Sequence, residues 1–267
     1  MPSNNTDLRE LLHNDDFPLS SRYEPQWVLE NQMGPNALWL AEWLCAEMDL
    51  EPGMRVLDMG CGKAVTSVFL AREFGVQVWA NDLWISATEN WQRVREAGLD
   101  GAVFPIHAEA HALPYADEFF DAVVSLDSYH YFGTDDMYLR EFIRFLRPGG
   151  QIGIVVPGLM REFEGGVPEH LTRTQPSGGR FWDPSACFTF HTVEWWRKHW
   201  EQTELVTVER ADMMPEGWRD WLRFEQAKDA AGMGGCEEEL LAVQADQGRY
   251  LGFVRLVARR KAVEGTQ

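Results

Sequence analysis

The sequence predicts an α/β fold: a doubly wound, mostly parallel seven-stranded sheet with an N-terminal helical segment and a cap insertion before the last strands. Two observations carry this prediction. Between about Arg55 and Val156, short apolar runs alternate with stretches whose apolar residues recur every three or four positions. After an irregular stretch, two further apolar runs near the C-terminal end complete the sheet. The 267 residues are 45% hydrophobic and 25% charged, enough to build a packed core in one or two domains.

The elements follow in order. Gly34-Pro35-Asn36 opens a helix over 36–48, and strands are read at 55–59, 76–82, 102–108, 120–126 and 151–157. Helices are expected between them at 64–74, 86–97 and 135–146, the last stopped by a turn at Arg147-Pro148-Gly149-Gly150. Residues 158–190 mix glycine, proline and aromatics with little periodicity, as in an inserted cap. Helical spacing returns at 192–202 behind a Thr192 N-cap. A strand at 204–212, helices at 218–231 and 237–247, and a strand at 250–258 finish the chain.

Composition excludes several classes. There are 24 basic and 42 acidic residues, a formal net charge of −18, and no basic stripe, which argues against nucleic-acid and anionic-membrane partners. No apolar run is long enough to span a bilayer. The acid-rich N-terminal region resembles neither a secretory signal nor a transit peptide, so a cytoplasmic setting is expected. The 4 cysteines show no CxxC spacing and no metal site is readable.

The richest segment is Val56-Leu57-Asp58-Met59-Gly60-Cys61-Gly62-Lys63-Ala64, a buried strand running through a Gly-x-Gly turn into a helix. Glycine permits a sharp turn and a close approach of the backbone to a ligand. Asp82 ends the second strand, where an acid commonly accepts hydrogen bonds from ribose hydroxyls. A nicotinamide dinucleotide is the rival ligand. Val65 stands where its fingerprint has a third glycine, and Asp58 would repel a pyrophosphate while attracting an ammonium or sulfonium group. These features point to a ligand with a nucleoside at one end and a cationic, amino-acid-like group at the other, as in S-adenosylmethionine.

VLDMGCGKA, the acid of VWANDLW, AEAHALPYADEFFDAVVS and LREFIRFLRPGGQIGI resemble, in order, the motifs of the class I S-adenosylmethionine-dependent methyltransferases, most closely their small-molecule, type 11-like group. The resemblance is clear over residues 55–156; MGPN at 33–36 and MMPEGWRDW at 213–221 are similar to some uncharacterised small-molecule members. It implies a Rossmann-like core and S-adenosylmethionine as cofactor. By the same resemblance Asp58, Gly60 and Gly62 hold the methionine end and Asp82 takes the ribose. Leu83 and Trp84 lie beside the adenine, and Glu109 with the backbone of Ala110 lies near its amino group. Two positions depart from the pattern: Ala64 replaces its third glycine and Glu109 its aspartate. The expected organisation is an N-terminal lid segment at 1–50, the cofactor-binding core at 51–157, a cap at 158–203, and C-terminal strands and helices at 204–267.

On the acceptor side, the fourth strand runs into Asp127-Ser128-Tyr129-His130, and its carboxyl end faces the crevice of such a sheet. Asp127, Tyr129 and His130 are the candidate catalytic residues: Asp127 for a cationic acceptor, His130 for a proton near neutral pH. Structural roles compete with both, a cap for Asp127 and a packed ring for His130. Trp196 and Trp200 share a helix face and serve either as cap packing or as an aromatic wall for the acceptor. Tyr23 and Trp27 are candidates to close over the cofactor. The expected activity is methyl transfer to a small molecule through an N-, O-, S- or C-nucleophile. The alternatives are a non-catalytic S-adenosylmethionine-binding protein and an NAD-dependent oxidoreductase.

Overall fold

The computed structural model describes residues 4–234 and 236–262. Seven strands form one sheet: β1 (Arg55–Met59), β2 (Gln77–Asp82), β3 (Val103–His107), β4 (Phe120–Leu126), β5 (Leu146–Leu159), β6 (Val206–Met213) and β7 (Leu251–Arg260). Their spatial order is β3-β2-β1-β4-β5-β7-β6. The first five run parallel, and β7 slots antiparallel between β5 and β6. Order reverses between β1 and β4, which places a crevice at their carboxyl ends.

Alternation along the strands builds two apolar layers. Val56, Ala122, Val124 and Val155 point to one face, covered by α3 (Ala37–Cys45), α4 (Val65–Phe74) and α10 (Gly217–Ala230). Leu57, Val123, Ile152 and Ile154 point to the other, covered by α6 (Tyr138–Phe142) and α9 (Val193–Glu201). Local signals set the helix starts. Asn36 accepts from Leu38 N–H at 3.1 Å to cap α3. Ser86 and Glu89 form a reciprocal capping box on α5 (Ala87–Glu96).

Three features depart from the sequence expectation. The helix expected at 135–146 is the single short α6 followed by a 3₁₀ turn at Ile143–Phe145. The Arg147-Pro148-Gly149-Gly150 turn lies inside β5, where the register against β4 jumps from Phe120↔Leu146 to Ala122↔Gln151. Gly149, at φ +79°, absorbs the extra residues as a bulge. The N-terminal region holds two helices before α3, namely α1 (Asn4–Leu12) and α2 (Pro25–Asn31).

α1 lies against α10. Arg223 Nη2 donates to the carbonyls of Glu10 (2.7 Å) and His13 (2.6 Å), and Asn14 donates to Asp220 at 3.0 Å. The irregular 158–190 stretch carries two single-turn helices, α7 (Glu169–Thr172) and α8 (Pro184–Cys187). It packs on α10 and on α11 (Glu237–Asp246) through Phe181 against Trp221 and His170 on Asp246. No helix among the described residues is long and apolar enough to cross a membrane.

Candidate functional site

A cavity of about 300 Å³ opens at the carboxyl ends of β1, β2 and β4. Its floor is the Gly60–Lys63 loop. Gly60 and Gly62 hold φ of +74° and +53°, and both walls press close. A Cβ on Gly60 would lie 2.1 Å from Ser128 Oγ, and one on Gly62 would lie 2.9 Å from Met33 Sδ. Ala64 keeps the left-handed conformation at φ 61° although it carries a methyl, and it is the N-cap residue of α4. Left-handed backbone costs a non-glycine residue about 1–2 kcal/mol, so tertiary packing around the fully buried Ala64 holds it there.

Asp82 ties this loop to the next. Its Oδ2 accepts from Gly62 N–H at 2.8 Å, and its Oδ1 accepts from Trp84 and Ile85 N–H at 2.7 and 2.9 Å. Leu83 and Trp84 consequently stand out at the rim, 51% and 69% exposed. Asn81 beside it donates to the Ala108 carbonyl at 3.1 Å, leaving its buried Oδ1 without a partner on the cavity wall. Glu109 accepts from His111 N–H at 2.8 Å and pairs with its ring at 2.8 Å. That side-chain bond with His111 is the main reason its carboxyl is held below the ordinary range.

Of the expected site residues, Gly60, Gly62, Asp82, Leu83, Trp84, Glu109, Ala110 and Asp127 line the cavity. Asp58, Tyr129 and His130 lie behind its wall. Asp58 turns under α4, where Ser67 Oγ donates to it at 2.6 Å. Burial lifts its carboxyl to about 7, with Ser67 pulling it down and the charge of Asp82 pushing it up. A carboxylate so placed lies beneath the loop and not on the cavity wall. Tyr129 is fully buried between Trp196 and Trp200, at ring separations of 5.9 and 5.7 Å. Those tryptophans are therefore packing residues and not an acceptor wall. His130, 2% exposed, packs against Tyr131, and burial pushes it down to about 3, which leaves a neutral ring. Tyr23 leans on Trp27 and Phe69 and hydrogen-bonds Glu73, away from the cavity.

A strap follows them and forms part of the cavity wall. Asn31 to Pro35 line the cavity opposite the glycine loop, with Lys63 Nζ donating to the Glu30 carbonyl at 2.9 Å. Sequence reasoning missed Met33, Gly34, Ser128 and Tyr131 as wall residues, although the MGPN stretch at 33–36 carried a signal. Gly34 is needed because a Cβ there would fall 2.1 Å from Asp127 Oδ2. Among the described residues no group of three or more His, Cys, Asp or Glu side chains is placed to hold a metal ion.

Residues 56–150 match the family model described as a methyltransferase domain. Methyltransferase GfsG of Streptomyces halstedii is 35% identical over 134 residues, 49% of this chain and 48% of that protein, so the chain spans about half the length of this relative. Two solved structures share the fold. Geranyl diphosphate C-methyltransferase from Streptomyces coelicolor A3(2) superposes with a TM-score of 0.66 at 16% identity, covering 94% of this chain and 87% of that one. The [4+2]-cyclase SpnF superposes with a TM-score of 0.62 at 21% identity, covering 84% and 82%. The Gly60–Gly62 loop and Asp82 both lie in the stretch 56–150 that matches the methyltransferase domain, and the seven-stranded sheet that extends beyond it has the fold of these methyltransferase structures.

Proposed function

We propose that this chain binds S-adenosylmethionine in the cavity and transfers its methyl group to a small-molecule acceptor. The observation that carries the reading is the left-handed Gly60–Gly62 loop, roped to Asp82 at the switch point of the sheet, with open space above it. The wall suits such a ligand. Asp82 Oδ2, which accepts a single backbone bond, keeps a lone pair for a ribose hydroxyl. The unpartnered Asn81 Oδ1 offers a further acceptor, and Leu83 and Trp84 offer an apolar edge for a purine. Glu109 and the Ala110 backbone stand on the same wall for the purine amino group. Asp58 acts through Ser67 and the loop, and Asp127 serves the acceptor side.

When bound, the sulfonium supplies an electrophilic methyl group. The residues have the task of holding a nucleophile in line at about 3 Å and keeping water out. Asn31–Pro35 and the rings of Tyr131 and Phe132 close around that space. The negative overall charge and the enclosed cavity favour a small acceptor in a cytoplasmic setting over a polymer. The same reading keeps the lid at 1–50, the core at 51–157, the cap at 158–203 and the completing elements at 204–267.

Because one fold neighbour is a [4+2]-cyclase, the test separates binding from transfer. Thermal unfolding is measured with S-adenosylmethionine, S-adenosylhomocysteine and NAD. Ligand at 100 times its dissociation constant stabilises by about 2.7 kcal/mol, a rise of roughly 5–11 °C for a chain of this size. We expect the rise with both sulfur nucleosides and none with NAD; a rise with NAD alone overturns the reading. Formation of S-adenosylhomocysteine with a mixture of small nucleophiles then shows transfer, and binding without any turnover across a broad mixture identifies a non-catalytic module.

A further inference from the structure

The fate of charge behind Asp127 goes beyond the cofactor. Asp127 sits on the cavity wall at the end of β4, in left-handed conformation at φ 51°, with its Oδ2 turned toward Gly34. The residue is half-buried, and no hydrogen bond reaches its carboxylate among the described residues. Behind it α10 and α11 bring Glu225, Lys228 and Glu239. Lys228 Nζ meets Glu225 Oε1 at 2.5 Å, while Glu225 Oε2 is fully buried and has no partner. Glu239 is engaged by the indole N–H of Trp221.

Glu225 pairs with Lys228, so among the described residues Asp127 and Glu239 have no cation in contact and carry two unpaired negative charges when both ionise. Buried charge of that kind is costly unless paired. The group is electrically one unit: burial, then the charge of Glu239, lifts Asp127 to about 8, and Lys228 draws it back. Tyr131 feels both Asp127 and Glu239 and contributes its ring to the cavity wall. An aromatic face beside an unpaired carboxylate is a setting that recognises an organic cation.

We propose that the acceptor of this site is an amine, its ammonium drawn to the unpartnered Asp127 carboxylate by the acidic group behind it and its carbon skeleton lying on Tyr131. The inference rests on the methyl-transfer reading and names its substrate class. Asp127 takes one proton from the ammonium and so frees the nitrogen lone pair. The N–C bond forms as the methyl's bond to sulfur breaks, the bonding pair stays on sulfur, and the products are a neutral thioether and an N-methylammonium ion. Asp127 returns its proton to water. With its carboxyl lifted to about 8, Asp127 is ionised above that pH, and an arriving ammonium draws it back toward the ionised form that takes the proton.

The test uses full-length protein saturated with S-adenosylhomocysteine and three matched probe sets: phenethylamine, phenethyl alcohol and phenylacetate, with the corresponding indole-ethyl and hexyl trios. Binding is read by calorimetry. At least one amine binds about tenfold or more tighter than its alcohol and acid, and Asp127→Asn and Glu239→Gln each remove that preference while S-adenosylhomocysteine still binds. If no amine outranks its partners, the amine assignment fails while the methyltransferase reading stands. If S-adenosylhomocysteine does not bind the wild type, the methyl-transfer reading itself fails. If Asp127→Asn weakens S-adenosylhomocysteine as much as the amine, Asp127 holds the cofactor's own ammonium and the proposal is overturned.

Discussion

Adding one methyl group at Gly60 tests whether the glycine loop is held as tightly as its geometry states. The new Cβ would stand 2.1 Å from Ser128 Oγ and 2.5 Å from Ser128 Cβ. Ser128 has little room to retreat: its hydroxyl donates to the Met59 carbonyl at 2.8 Å and bonds Ser125 Oγ at 2.9 Å. Two costs add. Left-handed φ at an alanine costs about 1–2 kcal/mol, and overpacking against a pinned side chain costs about 1–3 kcal/mol. Gly60→Ala should therefore destabilise by about 2–5 kcal/mol. With a urea slope near 3 kcal/mol per molar, that moves the midpoint down by roughly 0.7–1.7 M. Ser128→Gly removes the obstacle but not the backbone strain. The double variant should be about 1–3 kcal/mol more stable than the sum of the singles predicts. Equilibrium urea unfolding of the four proteins supplies the cycle. Additivity within about 0.5 kcal/mol would refute the claim that these two residues are in contact through the loop.

Three further outcomes are expected. Asp82→Ala strips three backbone N–H groups of a charged acceptor, each such bond being worth about 1.5–3 kcal/mol; S-adenosylhomocysteine affinity should fall at least about tenfold, and an unchanged titration would remove Asp82 from the site. Asp58 titrates near 7 in the fold against an ordinary 3.8, so between those values the native state holds the extra proton and stability declines as pH rises. Asp58→Asn cannot lose that proton, and its melting temperature relative to wild type should climb from pH 5 to pH 8; a flat difference would contradict the burial argument. Buried Arg255 makes two bonds to Asp212, at 2.9 and 2.8 Å, and covers the Trp43 ring at 4.1 Å. Arg255→Met should cost about 3 kcal/mol by denaturation with cofactor affinity intact, and loss of affinity in step with stability would show that this pair reaches the site.

The sheet was legible because its physics is local. Runs such as FDAVVSL and the Gly-x-Gly turn declare themselves within a few residues, and strand order follows from the family of connections they allow. The Arg147–Gly150 bulge was not, since a proline-glycine pair reads as a turn until the partner strand shows that the ladder resumes beyond it. The cavity wall was legible for Gly60, Gly62 and Asp82, whose residue types are demanded by backbone geometry. Asp58 was placed by its charge and by resemblance, and Tyr129 and His130 by their position after β4; none of these says toward which side a side chain turns. Glu225 and Glu239 join Asp127 from nearly a hundred residues away or more, and no spacing in the chain announces that meeting.

The clasp between α1 and α10 joins parts of the chain that lie 210 and 213 residues apart in sequence. Contacts of that separation close late, because the entropy of loop closure is lost before they reward it. The docking of α1 is therefore expected to follow formation of the sheet, and the clasp to be among the last native contacts made.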